Sequence, residues 1–224
     1  MKKYAIIAAA GSGNRMSNPT PKQFLLLAGR PVLWYTITSF LNAFPDLEIV
    51  LVLPASHINE GKLLIESFAT PERIQWVTGG ETRFHSVKNG LQPIQDPSIV
   101  FVHDGVRCLV TKTLIHRCYD KTLQNGNAVP AISTFDSMRL EEGGSNKVLD
   151  RTQVKIIQTP QTFHSEQLKK AFQQDYRESF TDEASVVERL NIKINLVEGE
   201  DSNIKITRPS DFAVAEKIIE LMFK

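Results

Sequence analysis

Several residue types and segments are scarce in this 224-residue chain, and each scarcity narrows the range of functions. There are only two cysteines, Cys108 and Cys118, so a disulfide framework and a cysteine-based zinc site are excluded. The formal net charge is +1, too small for a protein that binds nucleic acid or anionic membranes through a basic surface. The sequence contains no run of 18 apolar residues and no signal-peptide pattern. We therefore expect a soluble, cytoplasmic protein.

The chain does contain a stretch typical of phosphate binding, from Tyr4 to Phe24. An apolar run, which predicts a buried strand, leads into Gly11-Ser12-Gly13. Small residues allow phosphates to approach the backbone, and the exposed N–H groups of such a turn bind anions. Arg15 and Lys22 add positive charge and hydrogen-bond donors for phosphate oxygens. The stretch predicts a phosphate-binding loop at the end of the first strand.

Two common phosphate loops fit this stretch less well. The P-loop is excluded because the Gly-Lys-Ser/Thr sequence is missing, and the dinucleotide pattern G-x-G-x-x-G has Met16 in place of its third glycine. The second predicted strand ends at Pro54 without an acidic residue for a ribose. A dinucleotide-dependent oxidoreductase, a non-catalytic nucleotide-binding module and a simple strand-to-loop turn remain as alternatives.

Short apolar runs alternate with amphipathic stretches along most of the chain. This alternation predicts an α/β protein with a mostly parallel, helix-covered sheet. The predicted strands are 4–10, 48–54, 74–77, 99–102, 128–132, 192–197 and 204–207; the predicted helices are 31–44, 56–68, 82–91, 111–123, 165–172, 181–190 and 209–223.

Polar residues follow three of the predicted strands. These are the glycine turn, Gly79-Gly80-Glu81 and His103-Asp104. Ligands of parallel sheets bind beyond the carboxyl ends of the strands, so we expect the three segments to line one crevice. For His103 a structural role is favoured. For Asp104 two roles stay open, a magnesium ligand or a group that binds the backbone, and for Arg107 a phosphate contact or a structural ion pair.

The alternation of strands and helices breaks between residues 135 and 157. The segment Glu141–Asn146 is typical of a hairpin tip between two extended arms. An arm that leaves the sheet cannot bury itself alone, so it either packs back or is covered by another subunit. We expect one domain, residues 1–224, with a protruding arm at 135–157.

Seven ordered blocks of the sequence resemble the cytidylyltransferases that act on polyol phosphates. The similarity is greatest to the 2-C-methyl-D-erythritol 4-phosphate cytidylyltransferases of the non-mevalonate isoprenoid pathway. Sister enzymes that activate ribitol 5-phosphate are the alternative, and Asp150-Arg151 counts against them. The blocks are residues 9–16 with 21–24, 79–83 with 86–87, 102–107, 150–151, 158–163, 181–185 and 203–209.

The resemblance implies a Rossmann-like sheet, a homodimer joined by the arm, and a magnesium-dependent reaction. CTP and 2-C-methyl-D-erythritol 4-phosphate would give the CDP-linked alcohol and pyrophosphate. A reaction between two anions needs positioning and neutralisation of charge, and magnesium often takes only one carboxylate from the protein. Asp104 is the candidate for that carboxylate.

The resemblance also assigns roles to residues of this chain. Arg15 and Lys22 would contact the triphosphate and stabilise the transition state, while Arg151 and Lys205 would position the substrate phosphate. The other expected positions are Ala8, Ala9, Gly11, Gly80, Glu81, Ser86, Asp104 and Gly105 on the nucleotide side, and Ser137, Thr159 and Thr181 on the substrate side.

Overall fold

The computed structural model describes residues 1–11 and 20–222. The strands are β1 (Lys2–Ala8), β2 (Leu26–Leu27), β3 (Arg30–Pro31), β4 (Leu47–Leu53), β5 (Ile74–Thr78), β6 (Ser98–Asp104), β7 (Asn127–Ser133), β8 (Met138–Glu142), β9 (Ser145–Leu149), β10 (Lys155–Ile157), β11 (Gln161–His164) and β12 (Leu196–Glu198). The helices are α1 (Val32–Ala43), α2 (Ile58–Glu66), α3 (Arg83–Gly90), α4 (Lys112–Asn125), α5 (Ser165–Ala171), α6 (Glu183–Glu188) and α7 (Pro209–Met222).

Eight strands form the main sheet, and its centre is parallel. The order is β10-β7-β11-β6-β1-β4-β5, and β12 pairs with β7. Strand β1 is parallel to both β4 and β6, and β4 is parallel to β5. Strand β11 is antiparallel to β6 and β7, which makes the sheet mixed. The predicted α/β class with a mostly parallel, helix-covered sheet is confirmed.

Helices cover both faces of the central strands. Because successive side chains of a strand point to opposite sides of the sheet, each strand contributes to two apolar clusters. On β1, Ala5 and Ile7 join one apolar cluster with α1 and α4, whereas Tyr4 and Ile6 join a second cluster with α3, α5 and α6. Strands β4 and β6 alternate in the same way. The near-continuous apolar runs of the sequence therefore correspond to strands covered by helices on both sides.

Threonine side chains cap the starts of two helices, and a glycine ends one of them. Thr82 and Thr111 accept hydrogen bonds from backbone N–H groups in the first turns of α3 and α4. Gly126, at φ 89°, ends α4 in the left-handed conformation that glycine adopts at least cost.

Within residues 1–11 and 20–222, no helix is long and apolar enough to cross a membrane.

The predicted element order was wrong at several points. The strand predicted over 192–197 is β12 at Leu196–Glu198, and the short strands β2, β3 and β10 were not predicted. Residues 204–207 do not form a strand; Ile206 instead packs into a third cluster with α7, and its N–H donates to the carbonyl of Val106. Strand β11 was not predicted, because its four residues carry too little of a pattern to be told from a loop.

A hairpin lies within the predicted arm and stands apart from the main sheet, but residues 155–157 form β10 and pair with β7, so the predicted range of 135–157 extends too far. Strands β8 and β9 form their own two-stranded sheet, and the turn between them has Gly143 and Gly144 at φ 59° and 79°. Apolar side chains on and beside the arm face solvent in this chain, with Phe135 81% and Val148 69% exposed. An isolated hairpin is only marginally stable in water, and exposed apolar side chains are typical of an interaction surface. We therefore expect another protein surface to cover the arm.

Candidate active site

Gly11 after β1, Gly80 after β5 and Asp104 at the end of β6 meet at the carboxyl edge of the central strands, whereas Ser12 and Gly13 of the glycine turn lie outside the described residues. In the register of the sheet, Ala8 of β1 lies opposite Val52 of β4 and Asp104 of β6. Hydrogen bonds continue past the strand ends: Ala9 N–H donates to Val52 (3.0 Å) and Gly105 N–H donates to Ala8 (3.0 Å). These bonds hold the start of the glycine turn beside the carboxyl end of β6.

A cavity of about 610 Å³ opens between these loops. Its wall combines small side chains with cations and two carboxylates, those of Glu81 and Asp104, a combination suited to a polar, phosphorylated ligand. The lining residues are Ala8, Ala9, Ala10, Gly11, Lys22, Gln23, Gly80, Glu81, Thr82, Arg83, Ser86, Asp104, Val106 and Lys205.

Gly79 sets the close approach of two of these loops. A Cβ atom at Gly79 would lie 2.3 Å from the Cβ of Ala10 and 3.1 Å from Oγ of Ser86. We expect Gly79→Ala to displace the glycine turn and to lower kcat/KM by about tenfold or more, since small misplacements of bound groups are costly. Steady-state kinetics measure the loss. The double variant Gly79→Ala/Ala10→Gly removes the clash and should recover activity; if it does not, the packing argument is wrong.

Lys22 reaches the cavity from a single turn of 3₁₀ helix, Lys22–Phe24. The neighbouring Gln23 is buried, and its side-chain amide donates to the carbonyls of Ala9 (2.7 Å) and Gly11 (3.2 Å). The ammonium of Lys22 donates to the carbonyl of Ile206 (2.9 Å). Gln23 thereby ties the turn that carries Lys22 to the end of β1.

Asp104 is the centre of a cluster of charges. Its carboxylate Oδ2 lies 2.9 Å from Nζ of Lys205 and 3.4 Å from Nε of Arg107, and its Oδ1 lies 3.4 Å from Nη2 of Arg83. The contact of Arg107 with Asp104 is the structural ion pair that the sequence left open, and Arg107 also donates to the carbonyl of Asn203 (2.9 Å).

The opposite charges in this cluster shift the pKa values of Asp104 and Arg83 in opposite directions. Burial acts to raise the pKa of Asp104, but the positive charges of Arg83, Lys205 and Arg107 outweigh it and hold that pKa well below its usual range. Burial acts to lower the pKa of Arg83, and Glu183 and Asp104 more than offset this, so the pKa of Arg83 is raised. Asp104 is consequently ionised at neutral pH.

His103 is structural, as the sequence favoured. Its imidazole is fully buried, and its two ring nitrogens lie 3.0 Å from the carbonyl oxygen of Arg107 and 3.0 Å from Oγ1 of Thr159. The same Thr159 hydroxyl accepts from the N–H of Asp104 at 3.1 Å. Thr159, expected on the substrate side, is thus buried behind Asp104 and supports its backbone.

The burial of His103 predicts a pH dependence of stability. Burial lowers the pKa of His103 to about 4, whereas an unfolded histidine has a pKa of about 6.5. Between these values only the unfolded chain binds the proton, so stability falls as the pH falls. From pH 7 to pH 4 we expect His103 to remove about 3 kcal/mol of the free energy of unfolding. Urea unfolding of the wild type and His103→Gln, compared as a difference at each pH, tests this; a constant difference would contradict it.

The structure brings most of the sequence-predicted site residues together. Lys22, Asp104 and Lys205 line the cavity with Ala8, Ala9, Gly11, Gly80, Glu81 and Ser86, and Gly105 follows directly after Asp104. Arg15 lies outside the described residues.

The arm-side residues do not line the cavity of this chain. Ser137 and Arg151 are exposed at the base of the hairpin, where Arg151 donates to the carbonyl of Phe135. Thr181 is exposed and directly precedes Asp182, the N-cap of α6.

Among the cavity residues with no role assigned from the sequence, Arg83 and Gln23 make the contacts that position other groups. Arg83 and Gln23 both belong to blocks that carried the resemblance, yet their functions depend on contacts that sequence spacing does not show. Arg83 meets Glu183 across 100 positions and Asp104 across 21. A glutamine between a lysine and an aromatic residue gives no signal that it binds the carbonyls of Ala9 and Gly11, just beyond β1.

Comparison with known proteins assigns the family. Residues 4–221 match the family model described as IspD: 2-C-methyl-D-erythritol 4-phosphate cytidylyltransferase. The chain belongs to this family. A 2-C-methyl-D-erythritol 4-phosphate cytidylyltransferase of Bacteroides thetaiotaomicron is 42% identical over 219 residues, covering 98% of this chain and 100% of the relative. One of Porphyromonas gingivalis is 42% identical over 220 residues, covering 97% and 98%.

Solved structures of the cytidylyltransferase family share the fold. The 4-diphosphocytidyl-2C-methyl-D-erythritol synthase of Anaerococcus prevotii has a TM-score of 0.84 at 27% identity and covers 98% of both chains. The IspD of Francisella tularensis has a TM-score of 0.80 at 31% identity, covering 97% of this chain and 99% of its own. The resemblance drawn from the seven sequence blocks is therefore confirmed over almost the whole chain.

Proposed function

We propose that the cavity at the carboxyl edge of β1 and β6 binds CTP and transfers its cytidylyl group to 2-C-methyl-D-erythritol 4-phosphate, releasing pyrophosphate. The observation that supports it best is the meeting of Lys22, Asp104 and Lys205 on the wall of one cavity beside the glycine turn. Family membership favours this reaction over transfer to ribitol 5-phosphate.

In the transfer reaction, the cations and the small residues of the cavity have different tasks. An oxygen of the substrate phosphate attacks the α-phosphorus of CTP, a new P–O bond forms, and the bond to the pyrophosphate leaving group breaks. Because both reactants are anions, positioning and neutralisation of charge carry most of the catalysis. Lys22 and Arg15 stabilise the charge that builds on the triphosphate, and Lys205 holds the substrate phosphate. The small residues of the glycine turn let the nucleotide approach the backbone.

Magnesium fits this cavity as an ion held mainly by phosphate oxygens. Among residues 1–11 and 20–222, no group of three or more histidine, cysteine or acidic side chains is placed to hold a metal. Asp104 supplies one carboxylate at the cavity wall. Mg²⁺ is usually coordinated by one or two carboxylates together with substrate phosphates, so this arrangement suits it. A cation at Oδ2 competes there with Lys205. When bound, magnesium neutralises charge on the triphosphate.

The acceptor and the metal are tested in one assay. Pyrophosphate release from CTP is followed with 2-C-methyl-D-erythritol 4-phosphate and with ribitol 5-phosphate, each with Mg²⁺ and with a chelator. We expect release with the methylerythritol substrate and Mg²⁺, and loss of release with the chelator. Release with ribitol 5-phosphate alone would move the chain to the sister activity, and undiminished release with the chelator would refute the metal requirement.

We further propose that the arm joins two copies of the chain. The exposed apolar residues of the arm support this, as does the fact that Ser137, Thr181 and Arg151 do not line the cavity of their own chain. In a dimer, the arm of one copy can offer Arg151 to the cavity of the other. Sedimentation should show a dimer that Val148→Glu converts to monomer, whereas Leu63→Glu, equally exposed on α2, should leave it intact.

We also propose that the reaction takes place in the cytoplasm, and the state of the two cysteines supports this. Cys108 and Cys118 are both free and buried, and burial raises the pKa of each thiol to about 12. Unpaired thiols are typical of a reducing environment, which supports the cytoplasm as the site of the reaction.

A further inference from the structure

Glu183 is a buried carboxylate that the proposed mechanism does not use. It is 1% exposed, although glutamate is almost never buried without a partner. We propose that Glu183 is a positioning residue: it fixes Arg83, and through Arg83 it holds Asp104 and Lys205 in place for the transfer reaction. This inference rests on the proposed function, because it takes Lys205 as the residue that binds the substrate phosphate.

The four residues form a line of alternating charge that runs from α6 to the cavity. Arg83 binds Glu183 with both terminal nitrogens: Nη1 contacts Oε1, and Nη2 lies 3.0 Å from Oε2. The other edge of the same guanidinium faces Asp104, with Nε and Nη2 each 3.4 Å from Oδ1. The second oxygen of Asp104 holds Lys205 at 2.9 Å. Glu183 therefore orients Arg83, Arg83 orients Asp104, and Asp104 orients Lys205.

Glu183 is the one member of this line that does not reach the cavity. Arg83, Asp104 and Lys205 all line it, whereas Glu183 lies behind Arg83. Its carboxylate cannot touch a ligand in the cavity, so any effect on the reaction passes through Arg83. A planar guanidinium suits this task because it binds two carboxylates at fixed angles, which an ammonium does not.

Glu183 is itself held in a fixed position. Asp182 caps α6 and forms a reciprocal pair of hydrogen bonds with Ser185. The side chain of Gln161, on β11, donates to Asp182 (2.8 Å) and accepts from the N–H of Ala184 (2.8 Å). These bonds attach the first turn of α6 to the main sheet, so the carboxylate of Glu183 is a rigid reference point for Arg83.

The isosteric variant Glu183→Gln tests the role. Without the negative charge, Arg83 turns to Asp104 and competes with Lys205 for the carboxylate. We expect the KM for 2-C-methyl-D-erythritol 4-phosphate to rise about tenfold, with the KM for CTP within about twofold and kcat within about threefold of the wild type. If Glu183→Gln does not fold, Arg83→Lys serves instead, since its single ammonium cannot bridge both carboxylates.

A second readout does not depend on turnover. The rate at which an amine-reactive reagent labels Lys205, measured by mass spectrometry, reports how firmly Asp104 holds its ammonium. We expect labelling of Lys205 to speed up about threefold or more in Glu183→Gln, because the ion pair with Asp104 is loosened. Lys217, which is exposed and pairs only within its own helix with Glu220, is the internal reference.

The control for a merely structural effect is Val187→Ala. Val187 is fully buried on α6 and carries no charge, so its truncation destabilises the same helix without touching Arg83. An equal rise in the substrate KM in Val187→Ala, or an unchanged labelling rate of Lys205 in Glu183→Gln, would overturn the inference. If the wild type transfers to neither acceptor, the proposed function fails, and the labelling rates alone decide whether Glu183 positions Lys205.

Discussion

Lys22→Ala is expected to lower kcat by about 10²- to 10³-fold, the effect of removing one preorganised group that stabilises transition-state charge. Lys22 lines the cavity next to the glycine turn, and its ammonium is oriented by the carbonyl of Ile206. Negative charge on the triphosphate increases as the pyrophosphate leaves, so the loss falls on turnover more than on binding. The dissociation constant for CTP should rise by less than about tenfold.

Single-turnover kinetics and titration calorimetry with CTP separate these two effects. The matched control is Lys121→Ala, which removes the same charge from an exposed position on α4 where the ammonium contacts only Gln124. That variant should keep the wild-type kcat. A Lys22→Ala enzyme with wild-type kcat, or one whose whole loss lies in CTP binding, would refute the role given to Lys22.

Asp104→Ala is expected to lower the free energy of unfolding by about 3 kcal/mol, because removal of one member of a buried ion cluster leaves its partners uncompensated. Asp104 is 7% exposed, and Arg83, Arg107 and Lys205 all face its carboxylate. The expected value is at the low end for buried pairs, since Lys205 is 42% exposed and water screens part of its charge. Urea unfolding at pH 7 measures the change.

Asp46→Ala is the matched control for Asp104→Ala. Asp46 pairs with Lys3 at 2.7 Å but is 58% exposed, so its loss should cost about 1 kcal/mol or less. The pKa of Asp104 is lowered in the folded chain, so its stabilising effect is complete above the unfolded-state pKa of about 3.9 and is lost as the pH falls further. Equal losses in the two variants at pH 7 would contradict the cluster's importance.

The location of the site at the carboxyl edge of the sheet could be predicted from sequence, because ligands of parallel sheets bind there. Parallel strands present their carboxyl ends together, so the glycine turn, Gly80 and Asp104 were expected in one crevice, and Gly11, Gly80 and Asp104 do line one cavity. The hairpin was predictable because its turn is marked by Gly143-Gly144 between two polar arms. Local chemistry was sufficient in both cases.

The charge cluster could not be predicted, because its contacts join distant parts of the chain. Arg83 and Glu183 are 100 positions apart, and neither shows by its neighbours that the other is its partner. The segment 204–207 was predicted as a strand because its apolar residues alternate, yet Ile206 packs against α7 without joining a sheet. Tertiary contact decided these features, and a pattern of polar and apolar residues does not record it.

The central claim is that CTP binds at the carboxyl edge of β1 and β6. The most direct test is a crystal structure with Mg²⁺ and a non-hydrolysable CTP analogue. We predict density in the 610 Å³ cavity, with the phosphates at Gly11 and Lys22 and the nucleoside beside Gly80 and Ser86. A second cavity of about 430 Å³ lies at the base of the arm, between Ala131, Phe135 and Leu196. Nucleotide density there, with the first cavity empty, would contradict the account.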